Sequence, residues 1–258
     1  MTNFKFTYTP GEKKKTFGSP KMIPFLRELI ILDLPRDTSD IRLLNNSHHS
    51  AAESKEIIRR LGGLYDCIAD ARFNLAAAQL DEYTNFIAID SDSDSILYIS
   101  KIFVNNALVW YQAAFDLLIQ ISWLYFRIYE QFHIGNKSTP KLSFSSANLP
   151  LIYQKCTWQR IRENKDSLPQ DYWGELSSFA NSDTYHKVND LANALKHRQR
   201  INYSEVSVSE QVIVLTPNYN SSDSSIHEDL NNVISILKKY HSDLYHILCK
   251  LIDTHPLN

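Results

Sequence analysis

The longest apolar stretch of the sequence, residues 96–129, constrains the fold more than any other feature. A membrane-spanning helix needs about 20 predominantly apolar residues, and this stretch is interrupted too often to supply them. The interruptions are polar or charged side chains: Lys101, Asn105, Asn106, Gln112, Asp116, Gln120 and Arg127. The stretch therefore predicts a central helix, from about residue 95 to residue 133, that is buried on most sides of a soluble helical bundle. No membrane partner is expected.

Apolar residues also recur at helical spacing on either side of this stretch. The spacing predicts further helices over 24–32, 51–86, 151–164, 171–179, 184–200 and 226–254. Within the second of these, the pair Gly62-Gly63 marks a candidate kink or break, since each glycine costs about 1 kcal/mol relative to alanine. Partly alternating β-branched residues over 206–215 predict a small β-hairpin or a pair of edge strands in the C-terminal third. We expect a mainly α, antiparallel helical bundle over 51–258, preceded by an irregular arm over 1–50.

Composition narrows the classes of function. The 258 residues include 27 Lys and Arg against 29 Asp and Glu, so a net charge of −2 creates no global attraction to nucleic acid or membrane. The three cysteines are far apart, which predicts neither a disulfide framework nor a clustered zinc site. The sequence has no Gly-rich phosphate loop and no serine-hydrolase or zinc-protease motif. No secretory signal is recognised near the N-terminus, so we expect a cytoplasmic protein, and no cofactor is predicted.

The predicted helix over 184–200 has a polar face that could carry chemistry. Four side chains fall together opposite its apolar stripe: His186, Asp190, Asn193 and His197. A face of this kind is most often plain solvent-exposed surface. The alternative is a zinc site, but the two histidines are eleven positions apart, roughly 16 Å along the helix axis. One ion could not bridge them without ligands from another helix, so no metal is expected.

A third interpretation comes from the end of the same helix. The segment 192–197 reads Ala-Asn-Ala-Leu-Lys-His, late in an all-helical chain. It resembles the motif of the HEPN superfamily, which is an Arg, a polar residue that is often Asn, three further residues and a His. Asn193 and His197 match this motif, whereas Ala192 occupies the position of the Arg. In helix order the resemblance covers about residues 51–254.

The resemblance implies a fold and a class of function. HEPN domains are antiparallel helical bundles that form homodimers, in which the motif helices of two subunits line a shared cleft. Many members are metal-independent ribonucleases of toxin–antitoxin, antiphage defence and RNA-processing systems. Others are inactive modules for assembly or binding. The resemblance therefore leaves two functions open: an endoribonuclease acting on tRNA or mRNA, and an inactive module for dimerisation, protein–protein interaction or RNA binding.

The resemblance also assigns roles to individual residues. His197 would act in acid or base catalysis, because histidine ordinarily exchanges its proton near neutral pH, and Asn193 would orient the imidazole or the phosphate. Three cations would contact nucleic acid: Lys196, Arg198 and Arg200. Of these, Arg200 projects closest to the face of His197. Three further residues are supporting candidates: His186, Asp190 and Asp116, the last in the central helix and facing either the same cleft or a structural partner.

Overall fold

The computed structural model describes residues 21, 23–29, 49–80, 93–130, 133–134, 137–138, 142–145, 147–197, 199, 201–204 and 226–253. This part of the chain is mainly helical, as the sequence predicts. Its helices are α1 (Ile23–Glu28), α2 (Ala51–Ala77), α3 (Ser93–Tyr125), α4 (Leu149–Lys155), α5 (Trp158–Glu163), α6 (Gln170–Ala180), α7 (Asp183–Lys196) and α8 (Leu230–Asp253). Its strands are β1 (His133–Ile134), β2 (Lys137–Ser138), β3 (Ile201–Tyr203) and β4 (Ile226–Glu228).

The first long helix, α2, begins at a capping box. The backbone N–H of Glu53 donates to the Ser50 side chain over 3.3 Å, and the Ser50 N–H donates to the Glu53 carboxylate over 2.7 Å. The helix then continues through Gly62 and Gly63, so the break that this pair could mark is absent. Gly63 lies against Leu117 of α3, and tertiary packing of this kind outweighs a weak helix propensity.

The predicted central helix is α3, which packs against α2, α7 and α8. Within the described residues, its segment Ile96–Tyr125 is long and apolar enough to cross a membrane, yet half of the most apolar window is buried inside the fold. That burial is compatible with the core helix of a soluble protein. The helix ends at Tyr125, earlier than predicted, because Arg127 adopts a left-handed backbone conformation with a φ of 52°.

The predicted helix over 151–164 is two helices. Cys156 is extended, and the Thr157 side chain accepts a hydrogen bond from the Arg160 N–H over 3.3 Å. This hydrogen bond makes Thr157 the N-cap of α5 and separates it from α4.

A small parallel sheet forms on either side of the segment predicted as a hairpin. β3 and β4 pair in parallel, with Ile201 opposite Ile226 and Tyr203 opposite Glu228, whereas a hairpin would be antiparallel. Residues 226–228 therefore form a strand, and the last helix starts at Leu230 rather than at residue 226. The segment 206–215, where the hairpin was predicted, lies outside the described residues. The Tyr203 hydroxyl donates to the Asn105 side chain over 2.9 Å, which fastens β3 to α3.

Candidate site between α3 and α7

The motif helix, α7, is shorter than predicted. The Ser182 side chain caps its start by accepting from the Tyr185 N–H over 3.1 Å. The helix ends at Lys196, not at residue 200, and His197 is its C-cap. The His197 N–H still donates to the Asn193 carbonyl over 2.9 Å, so the backbone holds His197 in place one turn after Asn193.

The cap at Ser182 gives a direct test of this local account. Ser182→Ala should lower the free energy of unfolding by about 1 kcal/mol, because the first turn of α7 loses its side-chain acceptor. Urea denaturation followed by circular dichroism measures the change. Ser178→Ala, at an exposed position within α6, is the control and should stay within about 0.5 kcal/mol of wild type. An equal loss in both variants would contradict the capping role.

The predicted polar face of α7 lies at the surface. His186, Asp190 and His197 are exposed, and Asn193 is half-buried. Among the described residues, none of these four side chains forms a hydrogen bond with another. No three His, Cys, Asp or Glu side chains in the described ranges are grouped closely enough to hold a metal ion. The face is therefore open surface on the single chain.

Ala192, at the position of the motif Arg, faces the opposite way. Its side chain is 0% exposed and belongs to the main hydrophobic core, together with Val188 and Leu191 of the same helix. A guanidinium at this position would replace a methyl group inside the core instead of projecting toward His197.

A row of polar side chains on α3 lies beside α7. Gln112, Asp116 and Gln120 are spaced by four residues, so they follow one another along one side of α3. Gln112 is buried and uses both ends of its amide. Its Nε2 donates to Asn189 Oδ1 over 2.9 Å, and its Oε1 accepts from Lys196 Nζ over 3.2 Å. Gln112 therefore joins α3 to two points on α7.

The other end of the row meets α2 and α4. The Gln120 side chain accepts a hydrogen bond from Arg60, whose Nε also donates to the Tyr153 hydroxyl over 3.2 Å. The Arg60 guanidinium lies 3.9 Å from the centre of the Tyr153 ring, in a cation–π contact. Its Nε lies 3.1 Å from the buried Glu56 carboxylate. Arg60 is therefore fully engaged within the fold.

Asp116 is the exception in this row. Its side chain reaches solvent, and it makes no hydrogen bond or ion pair with the described residues. Partial burial raises the pKa of Asp116, and the positive charge of Lys196 opposes that rise. Burial, reinforced by the charge of Asp116, raises the pKa of Tyr185 and the pKa of Cys156 to about 12 each. Asp116 therefore lies within electrostatic range of Lys196, Tyr185 and Cys156.

The structure brings together only some of the predicted site residues. Lys196 and Asp116, predicted separately on two helices, lie within electrostatic range of each other. His197 and Asn193 lie on the neighbouring side of α7 and have no described contact with Asp116. Arg198 and Arg200 fall outside the described residues.

Two contributors to this region were not predicted from the sequence. Asn189 holds Gln112, and Arg60 holds Gln120. The four-residue spacing of polar side chains on α3 is a signal that could have indicated the row. Nothing local marks the partners on α2 and α7, because those contacts join residues 60 and 77 positions apart.

Comparison with known proteins gives no match: no family model, no curated protein and no solved structure is significantly similar to this chain.

Proposed function

We propose that the protein is an HEPN-like, RNA-directed protein that binds RNA at the C-terminal end of α7. The proposal rests on the resemblance carried by Asn193 and His197. It is supported by the exposure of His197 and Lys196 at the end of the helix. The burial of Ala192 favours binding over cleavage. The motif of HEPN ribonucleases contains an Arg as well as the His, whereas the side chain at position 192 of this chain lies in the core.

RNA binding at the end of α7 requires positively charged side chains for an electrostatic reason. The carbonyl end of a helix carries partial negative charge and repels anions. Side-chain cations would therefore have to hold RNA phosphates that approach the end of α7. Lys196 is the cation that the structure describes there. Arg198 and Arg200 follow it in the sequence and add positive charge to the same segment.

A metal-independent endoribonuclease of a toxin–antitoxin or antiphage system is the second candidate. It is favoured by the exposed imidazole of His197, which has no hydrogen-bond partner among the described residues. Cleavage needs a group that activates the ribose 2′-OH and a group that protonates the leaving oxygen. In a homodimer, two copies of His197 could divide these roles across a shared cleft.

One experiment on the full chain separates the two candidates. Fluorescein-labelled tRNA and mRNA fragments are titrated with the protein in EDTA, and the same samples are run on denaturing gels. Lys196→Gln should weaken binding by about 3- to 10-fold. It should also reduce, by about one, the slope of the logarithm of the binding constant against the logarithm of the salt concentration. His186→Ala is a matched control for His197→Ala, since it removes an exposed histidine from the same face. We expect binding without cleavage.

The alternative outcomes are equally distinct. Cleavage that persists in EDTA and disappears only in His197→Ala would establish the endoribonuclease. RNA that is neither bound nor cut at micromolar protein would show that the RNA-directed function is wrong.

A further inference from the structure

Two tryptophan rings stack on each other where α5 meets α6. Trp158 of α5 and Trp173 of α6 have ring centres 5.7 Å apart, and their ring planes are inclined by 22°. Both side chains are half-buried, so part of each reaches the surface. The next residue, Gly174, is exposed and has no side chain that could cover the Trp173 ring. A Cβ added at Gly174 would meet no heavy atom within 4 Å. The pair therefore presents aromatic surface beside open space.

Ring contacts continue from this pair to the exposed face of α7. The Phe115 ring of α3 lies 6.2 Å from Trp158 and 4.6 Å from Tyr185, measured between ring centres. Tyr185 is half-buried, and its ring centre lies 5.6 Å from that of His186. His186 belongs to the exposed polar face of α7, which also carries His197. The aromatic surface is therefore connected to the helix on which RNA binding is proposed.

Positively charged side chains accompany the tryptophan pair. Residues 155–165 contain four cations and one carboxylate, a net charge of +3 in a chain whose net charge is −2. Arg162 follows Trp158 by four positions, so the two side chains lie on the same side of α5. Arg162 is exposed and forms no ion pair with the described residues. An anionic ligand is therefore attracted to the surface on which the tryptophans stack.

Two carboxylates of α6 are close in sequence but lie on another side of the helix. Asp171 and Glu175 are two positions before and after Trp173, and residues two apart project roughly 160° from each other around a helix axis. The positions one turn from Trp173 carry no charge, and they are Pro169, Gln170, Leu176 and Ser177. The charge that lies on the same helix side as the tryptophan pair is therefore positive.

We propose that the stacked tryptophans bind bases of single-stranded RNA, while Arg162 contacts the adjacent phosphates. Single-stranded nucleic acid is bound by aromatic side chains on which bases stack, combined with cations that follow the backbone. In a double helix the faces of the bases are covered by neighbouring bases, so only an unpaired strand can use this surface. The inference rests on the proposed RNA-directed function and names single-stranded RNA as its substrate class.

The test compares RNAs that carry the same phosphates but differ in the access to their bases. The full chain is titrated into a short fluorescein-labelled purine-rich strand, its abasic counterpart, and its duplex with the complementary strand, and anisotropy is recorded. The single strand should bind about 10-fold more tightly than either of the others, which is a typical contribution of base stacking. Tryptophan fluorescence should be quenched by the single strand and not by the abasic strand.

Three variants connect this preference to the proposed surface. Trp173→Leu should lower affinity for the single strand about 10-fold, to the level of the abasic strand, and Trp173→Phe, which keeps a ring, should lose less. Trp110→Leu is the matched control, because Trp110 is 38% exposed on α3 and should leave the preference unchanged. Thermal unfolding by circular dichroism checks that each variant is folded. The fluorescence of the wild-type protein reports stacking without any substitution.

The outcomes distinguish the inference from the proposed function. Equal affinity for the single strand, the abasic strand and the duplex would overturn the inference and leave RNA binding intact. A preference for the single strand that survives in folded Trp173→Leu would also overturn it, as would equal quenching by the two strands. Failure of the wild-type protein to bind any RNA would remove the proposed function, and the inference with it.

Discussion

An arginine placed at position 192, where the HEPN motif has one, should destabilise the protein rather than activate it. Ala192→Arg should lower the free energy of unfolding by at least about 3 kcal/mol, because it forces a long side chain and an unpaired charge into a position that is 0% exposed. Urea denaturation at pH 7 measures this loss. In a domain of ordinary stability, such a loss removes much of the margin between the folded and unfolded states.

The neighbouring residue supplies the control for this experiment. Asn193→Arg places the same side chain one position later, where the wild-type residue is half-buried and can direct an arginine to solvent. We expect a change within about 1 kcal/mol of wild type. If Ala192→Arg proved as stable as Asn193→Arg, the core packing of α7 described above would be wrong. If Ala192→Arg also cleaved RNA, the proposal that the protein binds RNA without cleaving it would be wrong as well.

The second large effect concerns Glu56, a buried carboxylate on α2. Burial alone would raise its pKa, but hydrogen bonds from Arg59, Tyr153 and Arg60 outweigh burial and lower the pKa of Glu56 to about 2. Glu56→Gln should therefore lower the free energy of unfolding by about 2–3 kcal/mol at pH 7. Because Arg59 is largely exposed, solvent weakens its interaction with Glu56, and the expected loss of unfolding free energy lies toward the lower end of this range.

The pH dependence has a definite sign. Because the pKa of Glu56 is lower in the folded chain than its ordinary value of 4.5, its contribution to stability is complete above pH 4.5. The contribution is lost as the pH falls toward about 2. Urea denaturation of wild type and Glu56→Gln at pH 7, 4 and 3 should give a difference that shrinks with acid.

Glu163→Gln is the control for the acid series. Glu163 is exposed and accepts one hydrogen bond from Gln159 over 2.9 Å within α5. Its replacement should change stability by less than about 0.5 kcal/mol at every pH. A Glu56→Gln difference that stayed constant from pH 7 to pH 3 would show that the charge of Glu56 does not stabilise the fold.

Local patterns predicted the long helices and some of their ends. The apolar spacing over 51–86 and 96–129 indicated α2 and α3, and it placed the start of α2 at residue 51, where the structure has it. The end of α7 was missed because polar residues with good helix propensity continue past Lys196. The parallel pairing of β3 with β4 was missed because the two strands are more than 20 residues apart in sequence.

The candidate site was predictable only in part, because local patterns do not reveal contacts between residues that are far apart in the sequence. Helical spacing correctly placed His186, Asp190 and His197 on one exposed face. The electrostatic interaction of Asp116 with Lys196 depends on how α3 and α7 pack, and the sequence contained each residue without indicating that interaction. The burial of Ala192 is likewise a property of packing, although alanine at a motif position was itself visible in the sequence.

The C-cap geometry of His197 also determines which substitutions along α7 should be tolerated in a saturation mutagenesis experiment. The backbone N–H of His197, not its ring, makes the bond that closes the helix. Most side chains should therefore be tolerated at this position at any growth temperature, and any phenotype there reports function. At Ala192, five residues earlier, tolerance should narrow to the smallest side chains and fall as temperature rises. The two positions separate selection for function from selection for stability within a single helix.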